Sequence, residues 1–137
     1  MKRKSFSSFG RKKKSKKKKL KEKAWKVFSE YIRRKNGEYS ACYTCPNTFH
    51  WKDLQCGHLL DGRNNSILFE EDCVRPQCAG CNIFKSGNKE VYIPKFIDEC
   101  GREKYDELVR LKNTMKKISE SDLEDIIETY KAKLKAL

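Results

Sequence analysis

Two cysteine pairs constrain this chain more than anything else in it. Cys42-Tyr-Thr-Cys45 and Cys78-Ala-Gly-Cys81 are Cys-x2-Cys units separated by 32 residues. Each unit can place two thiolates on one tetrahedral zinc ion. The gap exceeds that of a compact zinc ribbon, so the metal is expected to be structural and to staple the ends of a substantial insert. Seven cysteines is an odd number, and four in such pairs point to metal binding in a reducing compartment rather than to a disulfide framework. His50 is an alternative fourth ligand. Cys56, Cys73 and Cys100 are expected to be packed thiols, with Cys100 at a helix end beside Gly101; a second zinc site built from them is the alternative.

Charge divides the chain of 137 residues into two parts. Residues 1–23 carry 13 Lys/Arg and the single acid Glu22, whereas the other 114 residues hold 19 basic and 18 acidic groups. The body is nearly neutral, and the formal charge of +13 belongs to a tail. Such a tail meets nucleic acid by neutralising phosphates and releasing counterions; Lys12, Lys13 and Lys14 are its candidate contacts. A solubility tail or a nuclear-localisation signal would have a similar composition. Residues 5–19 contain no apolar stretch of signal-peptide type, and no later run of about 18 apolar residues predicts a membrane span. No apolar helix or lipidation motif accompanies the charges, so a membrane partner is not expected and the cytoplasm is.

The predicted organisation is a disordered basic tail over residues 1–19, a helix over 20–37, a zinc-bound core over 38–89 and a helical region over 90–137. Leu20, Ala24, Val27, Phe28, Tyr31 and Ile32 recur at helical spacing, with Asn36-Gly37 as a stop and Trp25 as a core residue. A strand is expected over 49–55, leading to Gly57-His58, then a loop over 59–65, a second strand over 66–69 and a helix from 78 to 84: a ββα order. Helices follow over 90–99 and 102–116. Ser121-Asp-Leu-Glu124 has the form of a capping box ahead of the stripe Leu123, Ile126, Ile127, Tyr130 and Leu134. The fold class is α+β, mainly helical.

His50 and His58 are the two histidines, and His58 stands at the end of a predicted strand. The run His58-x14-Cys73-x8-Asn82, interleaved with the cysteine pairs, resembles the HNH nucleases, the ββα-metal fold. It is similar in more detail to the phage recombination-protein family called NinG or Rap. The residues that carry this are Ala24-Trp-Lys-Val-Phe-Ser-Glu-Tyr-Ile32, Gly57-His58, Phe69-Glu-Glu71, Gln77-Cys-Ala-Gly-Cys-Asn82, Lys85-Ser-Gly-Asn88 and the closing 130–137. The likeness spans about residues 24–137.

The resemblance implies a metal-dependent endonuclease acting on branched DNA such as Holliday junctions, in the cytoplasm of an infected bacterial cell. His58 would be the general base. Asn82 would be a ligand of one catalytic Mg²⁺ (or Mn²⁺), because hard cations take oxygen ligands. Products with 3′-hydroxyl and 5′-phosphate ends are the family expectation. Two positions depart from the HNH pattern: Gly57 stands where HNH enzymes often have a metal-binding Asp, and Cys73 replaces the asparagine that buttresses the loop. Asp61 is a candidate supplementary ligand. Arg63 and Arg75 flank the site as candidate phosphate clamps, and Lys85 is placed on the same helix face as Asn82. A homodimer would supply the two symmetric cuts of junction resolution. The competing reading is a zinc-stapled nucleic-acid-binding module without nuclease activity.

Overall fold

The first helix, α1 (Lys16–Arg34), opens where Ser15 accepts a hydrogen bond from the Lys18 backbone N–H at 3.2 Å. That cap sets the start inside the lysine run, so residues 16–19 are helical rather than tail. The computed structural model describes residues 13–137; the expected disorder over 1–12, and Lys12 with it, lie outside them. Two ion pairs offset part of the repulsion among the lysines, Lys14 with Glu22 at 2.9 Å and Lys16 with Glu120 at 3.4 Å. The helix is held by its apolar stripe, in which Ala24, Phe28 and Ile32 are fully buried.

Cys42 and Cys45 lie in the turn of a small hairpin, β1 (Tyr39–Ala41) against β2 (Thr48–His50). The single strand predicted over 49–55 is broken by a 3₁₀ turn, Trp51–Asp53, after which β3 (Leu54–His58) begins. The second strand predicted over 66–69 is instead a short helix, α2 (Asn65–Leu68). Ser66, Ile67 and Leu68 are all buried, which a helical turn wedged into the core permits and an alternating strand does not. The partner of β3 is β4 (Val74–Cys78), antiparallel, with Gln55 opposite Gln77 and His58 opposite Val74. Pro76 is tolerated because β4 is an edge of a two-stranded ribbon; its carbonyl accepts the Tyr43 N–H at 2.9 Å.

After β4 the chain makes a single π-helical turn, Gly80–Phe84, rather than a longer helix. Three helices follow: α3 (Lys89–Cys100), α4 (Arg102–Lys112) and α5 (Glu120–Lys135). Pro94 lies in the second turn of α3. Cys100, predicted to pack, is exposed at the end of α3, whereas Cys56 and Cys73 are buried as expected.

The β3–β4 ribbon is covered on both faces. On one face α1 packs through Phe28 and Ile32 against Cys56 and Val74. Outside it lies α5, and their contacts advance together: Lys16 with Glu120, Phe28 with Tyr130, and Lys133 over the Tyr31 ring. The two helices therefore run in the same direction. On the other side Tyr92 and Phe96 of α3 join Leu59, Leu60, Ile67, Cys73 and Leu108 in a second core. No described helix is long and apolar enough to cross a membrane.

The cap of α5 differs from the predicted one. Ser119, not Ser121, accepts from the Asp122 N–H at 3.0 Å, and the Asp122 carboxylate accepts from the Ser119 N–H at 2.9 Å. Ser119→Ala is expected to cost about 1 kcal/mol in denaturant unfolding, while Ser121→Ala leaves the midpoint unchanged.

Candidate metal centre and phosphate cleft

The two knuckles close on one another. The sulfurs of Cys42, Cys45, Cys78 and Cys81 lie within 4.8 Å of each other, and Cys45 and Cys78 are 3.8 Å apart. A tetrahedral zinc with bonds of about 2.3 Å has sulfur–sulfur edges of about 3.8 Å, so this cluster has the dimensions of a structural zinc site. Three of the four sulfurs are buried. Cys42 receives the Cys78 backbone N–H at 3.3 Å and lies 3.7 Å from the Thr44 hydroxyl. Burial pushes the Cys42 thiol up, but these donors outweigh it and bring it down to about 6, favouring the thiolate that a metal needs. His50 takes no part: its Nδ1 accepts from the Lys52 N–H and its Nε2 faces Glu38 at 3.5 Å.

Gln77 ties this centre to the ribbon. Its side chain is fully buried. Nε2 donates to Thr44 Oγ1 at 3.0 Å and to the Gly87 carbonyl at 2.8 Å; since a carbonyl only accepts, the amide orientation is settled. Thr44 is thereby left to donate its hydroxyl to Cys42. Gln77 Oε1 has no hydrogen-bond partner and lies over Gly57, where an added Cβ would meet it at 1.9 Å. Gly57 is therefore required by Gln77: the space an aspartate would fill is already occupied by a carboxamide.

His58 ends β3 on the α1 face of the ribbon, by strand alternation from Cys56. Its ring stacks on Trp25 (centroids 5.4 Å, planes 15° apart), and its Nε2 lies 3.3 Å from the Leu68 carbonyl. Trp25 is thus both a core residue and a platform for the histidine. The carbonyl accepts, so Nε2 carries the proton and Nδ1 keeps its lone pair. Burial holds the His58 pKa below its usual 6.5, with Arg63 and Lys89 acting in the same direction and the Leu68 bond opposing them. The imidazole is neutral at pH 7.

Arg63 lies with its guanidinium 4.5 Å from the Trp25 ring centroid. Its φ of +47° is uncommon for a residue with a Cβ. Lys18, Lys21, Glu22, Trp25, Arg63 and Leu68 line a cleft of about 320 Å³. The basic run of α1 therefore continues into a groove beside His58. Lys18 and Lys21 do not stand out in the sequence because they lie in a lysine-rich run from Lys16 to Lys23.

Asn82, in the π-turn, donates through Nδ2 to Gln55 Oε1 at 2.8 Å. Gln55 alternates to the ribbon face opposite His58, so His58 and Asn82 flank a layer one strand thick. Cys73 is fully buried, its thiol pushed up to about 12 by desolvation; the loop is tied instead by its carbonyl, which accepts the Leu59 N–H at 2.7 Å. Lys89, unremarked in the sequence, donates to the His58 and Leu59 carbonyls and pairs with Asp61 at 3.6 Å. Arg75 commits Nη1 to the carbonyls of Glu71, Asp72 and Val74 and lies over the Tyr43 and Phe96 rings. Lys85 is exposed at the end of the π-turn, Lys13 is exposed, and Lys14 is paired with Glu22.

These features define an α+β protein with a four-cysteine metal centre and a neutral histidine beside a basic cleft. The family model of the bacteriophage lambda NinG protein matches residues 2–137, and the chain belongs to that family. No curated protein and no solved structure matches it.

Two predictions follow from the centre and its link to Gly57. The purified protein should carry about one zinc per chain by elemental analysis, and Cys78→Ser should lose the metal and the cooperative unfolding transition together. Gly57→Asp should destabilise by about 3 kcal/mol from overpacking, and adding Gln77→Ala should recover part of that loss in thermal melts.

Proposed function

We propose that this protein is an HNH-type endonuclease that hydrolyses DNA phosphodiester bonds with a divalent cation, acting on branched intermediates of phage recombination. The state of His58 carries this reading: a neutral imidazole with its tautomer set by Leu68 and its ring stacked on Trp25, which lines the cationic cleft. Family membership supports the recombination role.

In this mechanism Lys18, Lys21 and Arg63 bind successive backbone phosphates, drawing the strand along α1. His58 Nδ1 accepts the proton of the attacking water as the oxygen–phosphorus bond forms. Arg63 balances charge on the phosphate, and the half-buried Lys89 holds the His58 carbonyl so that the ring does not drift. Mg²⁺ or Mn²⁺, when bound, supplies Lewis-acid stabilisation of the phosphate and the departing 3′ oxygen.

The residues fit such an ion only in part. Asn82 Nδ2 is spent on Gln55, which leaves Oδ1 as its free carboxamide oxygen, on the ribbon face opposite His58, while Gln77 Oε1 is buried against Gly57 and closed to a substrate-bound ion. Hard cations accept carboxamide oxygens. Asn82 is neutral and Asp61 is drawn to Lys89, so substrate phosphate would have to supply the balancing charge.

The filled space at Gly57 favours a second reading, a zinc-stapled nucleic-acid-binding module without nuclease activity. Incubation of junction, flap, nicked and linear DNA with Mg²⁺ added or omitted separates the two. Nicking that requires Mg²⁺ supports the endonuclease; salt-sensitive binding without any cleavage supports the module.

His58→Ala should lower cleavage by roughly 10²- to 10⁴-fold with zinc content and DNA affinity unchanged; a fully active variant refutes the mechanism. Burial lowers the His58 pKa from 6.5, so the base form persists to lower pH than for an unperturbed histidine. Cleavage by the wild type should therefore be lost on acidification only below the range in which an unperturbed histidine titrates.

A further inference from the structure

Ile83 and Phe84 expose apolar surface that nothing in the described structure covers: Phe84 is 84% and Ile83 57% accessible. They follow Asn82 directly and precede the exposed Lys85. Their backbone is firmly held. Cys81, a ligand of the metal centre, precedes them, and the Cys81 carbonyl accepts the Gly87 N–H at 2.9 Å. Ser86 N–H closes on the Ile83 carbonyl at 3.1 Å, and Asn88 Nδ2 reaches the Thr44 carbonyl at 3.1 Å. Ser86 and Asn88 both adopt positive φ, at +50° and +49°, so three residues of this turn, with Gly87 at +88°, sit in the left-handed region to project the segment outward. The two ends of the segment touch β3: Asn82 at Gln55, and Lys89 at the His58 and Leu59 carbonyls. The exposed aromatic is thus mounted beside the ribbon that carries the candidate base.

We propose that Phe84, backed by Ile83, is a wedge that enters a DNA branch point and stacks on the nucleobases left without a partner there. An aromatic ring gains stacking energy from any exposed base face, and apolar side chains inserted between base steps unstack them. In intact duplex the same ring would have to separate paired bases first, at a cost of a few kcal/mol per step. The wedge therefore discriminates branched from linear DNA without reading sequence, and Lys85 sits beside it to meet the adjacent phosphate. The proposal rests on the DNA-endonuclease reading of the neighbouring site for its consequence in cleavage, but the binding step stands alone.

The test uses the full chain carrying His58→Ala, without added Mg²⁺, so that binding is measured apart from chemistry. A four-way junction with 2-aminopurine at the branch and a linear duplex of the same sequence are titrated at fixed salt. Binding should raise the junction's 2-aminopurine fluorescence. Adding Phe84→Ala should abolish that rise and weaken junction affinity about tenfold, the size of one lost base stack, while duplex affinity and zinc content stay unchanged; Phe84→Trp should restore both signals. Equal junction affinity and fluorescence in the Phe84→Ala protein overturn the wedge. So does a Phe84→Ala protein that changes from dimer to monomer in light scattering with its junction signal intact, because the patch then seats a second copy. A protein that shows the fluorescence rise but cleaves no DNA with Mg²⁺ as otherwise wild type retains the wedge and removes the endonuclease reading.

Discussion

The buried carboxamide of Gln77 joins every part of the site. Through Thr44 it steadies Cys42, through Gly87 it anchors the turn that carries Asn82, and its free oxygen presses on Gly57, one residue before His58. A buried acceptor left without a partner costs about 1–3 kcal/mol. That cost is offset by the two bonds of its Nε2 and by the packing of the cysteine cluster and the two cores on either side of the ribbon. The metal centre is therefore more than a clasp on the ends of an insert. By holding Gln77 it sets the spacing between β3 and the π-turn, and so the spacing between the histidine and the asparagine.

Electrostatics organise the outside of the molecule as the carboxamide organises the inside. The body is nearly neutral in sum but polarised in space. Exposed lysines crowd the start of α1, and exposed acids Glu124, Asp125 and Glu128 line α5 beside it. A polyanion would be drawn to one helix and repelled by its neighbour, which would restrict its approach to the side where Lys18, Lys21 and Arg63 form the cleft. Screening over about 10 Å at ordinary ionic strength confines this guidance to the last steps of docking.

The parts of this arrangement visible in sequence were those written in spacing. Two Cys-x2-Cys pairs foretold the cluster, the stripe from Leu20 to Ile32 foretold α1, and the interval from His58 to Asn82 singled out the residues now seen on either side of β3. What was hidden depended on tertiary contact. The run Ser66-Ile67-Leu68 has no alternation to separate strand from buried helix, and only its enclosure on all sides decides for the helix. Val74–Cys78 contains a proline, which argues against a strand in sequence, although an edge position tolerates one. Ser121 satisfied the capping-box pattern as well as Ser119 did, and chain geometry chose between them. Gln77 belongs to the motif that carries the family resemblance, but its structural role acquires meaning only when its amide is seen spanning three segments.

The exchange of a carboxylate for a carboxamide beside the base has a consequence for how the proposed reaction would be controlled. A carboxylate ligand would hold a divalent cation in the absence of DNA. The neutral oxygen of Asn82 would bind one weakly, because it offers a dipole in place of a charge. The strongest anionic donor to such an ion would then be the substrate phosphate itself. Cation and DNA would bind with positive cooperativity, each raising the affinity of the other by the same factor. A strand whose branch is held open by Phe84, next to Asn82, would bring phosphate to that ion, whereas a duplex bound only through the lysines of α1 would not. Discrimination between branched and linear DNA would thus be exercised at assembly of the reactive centre as well as at binding.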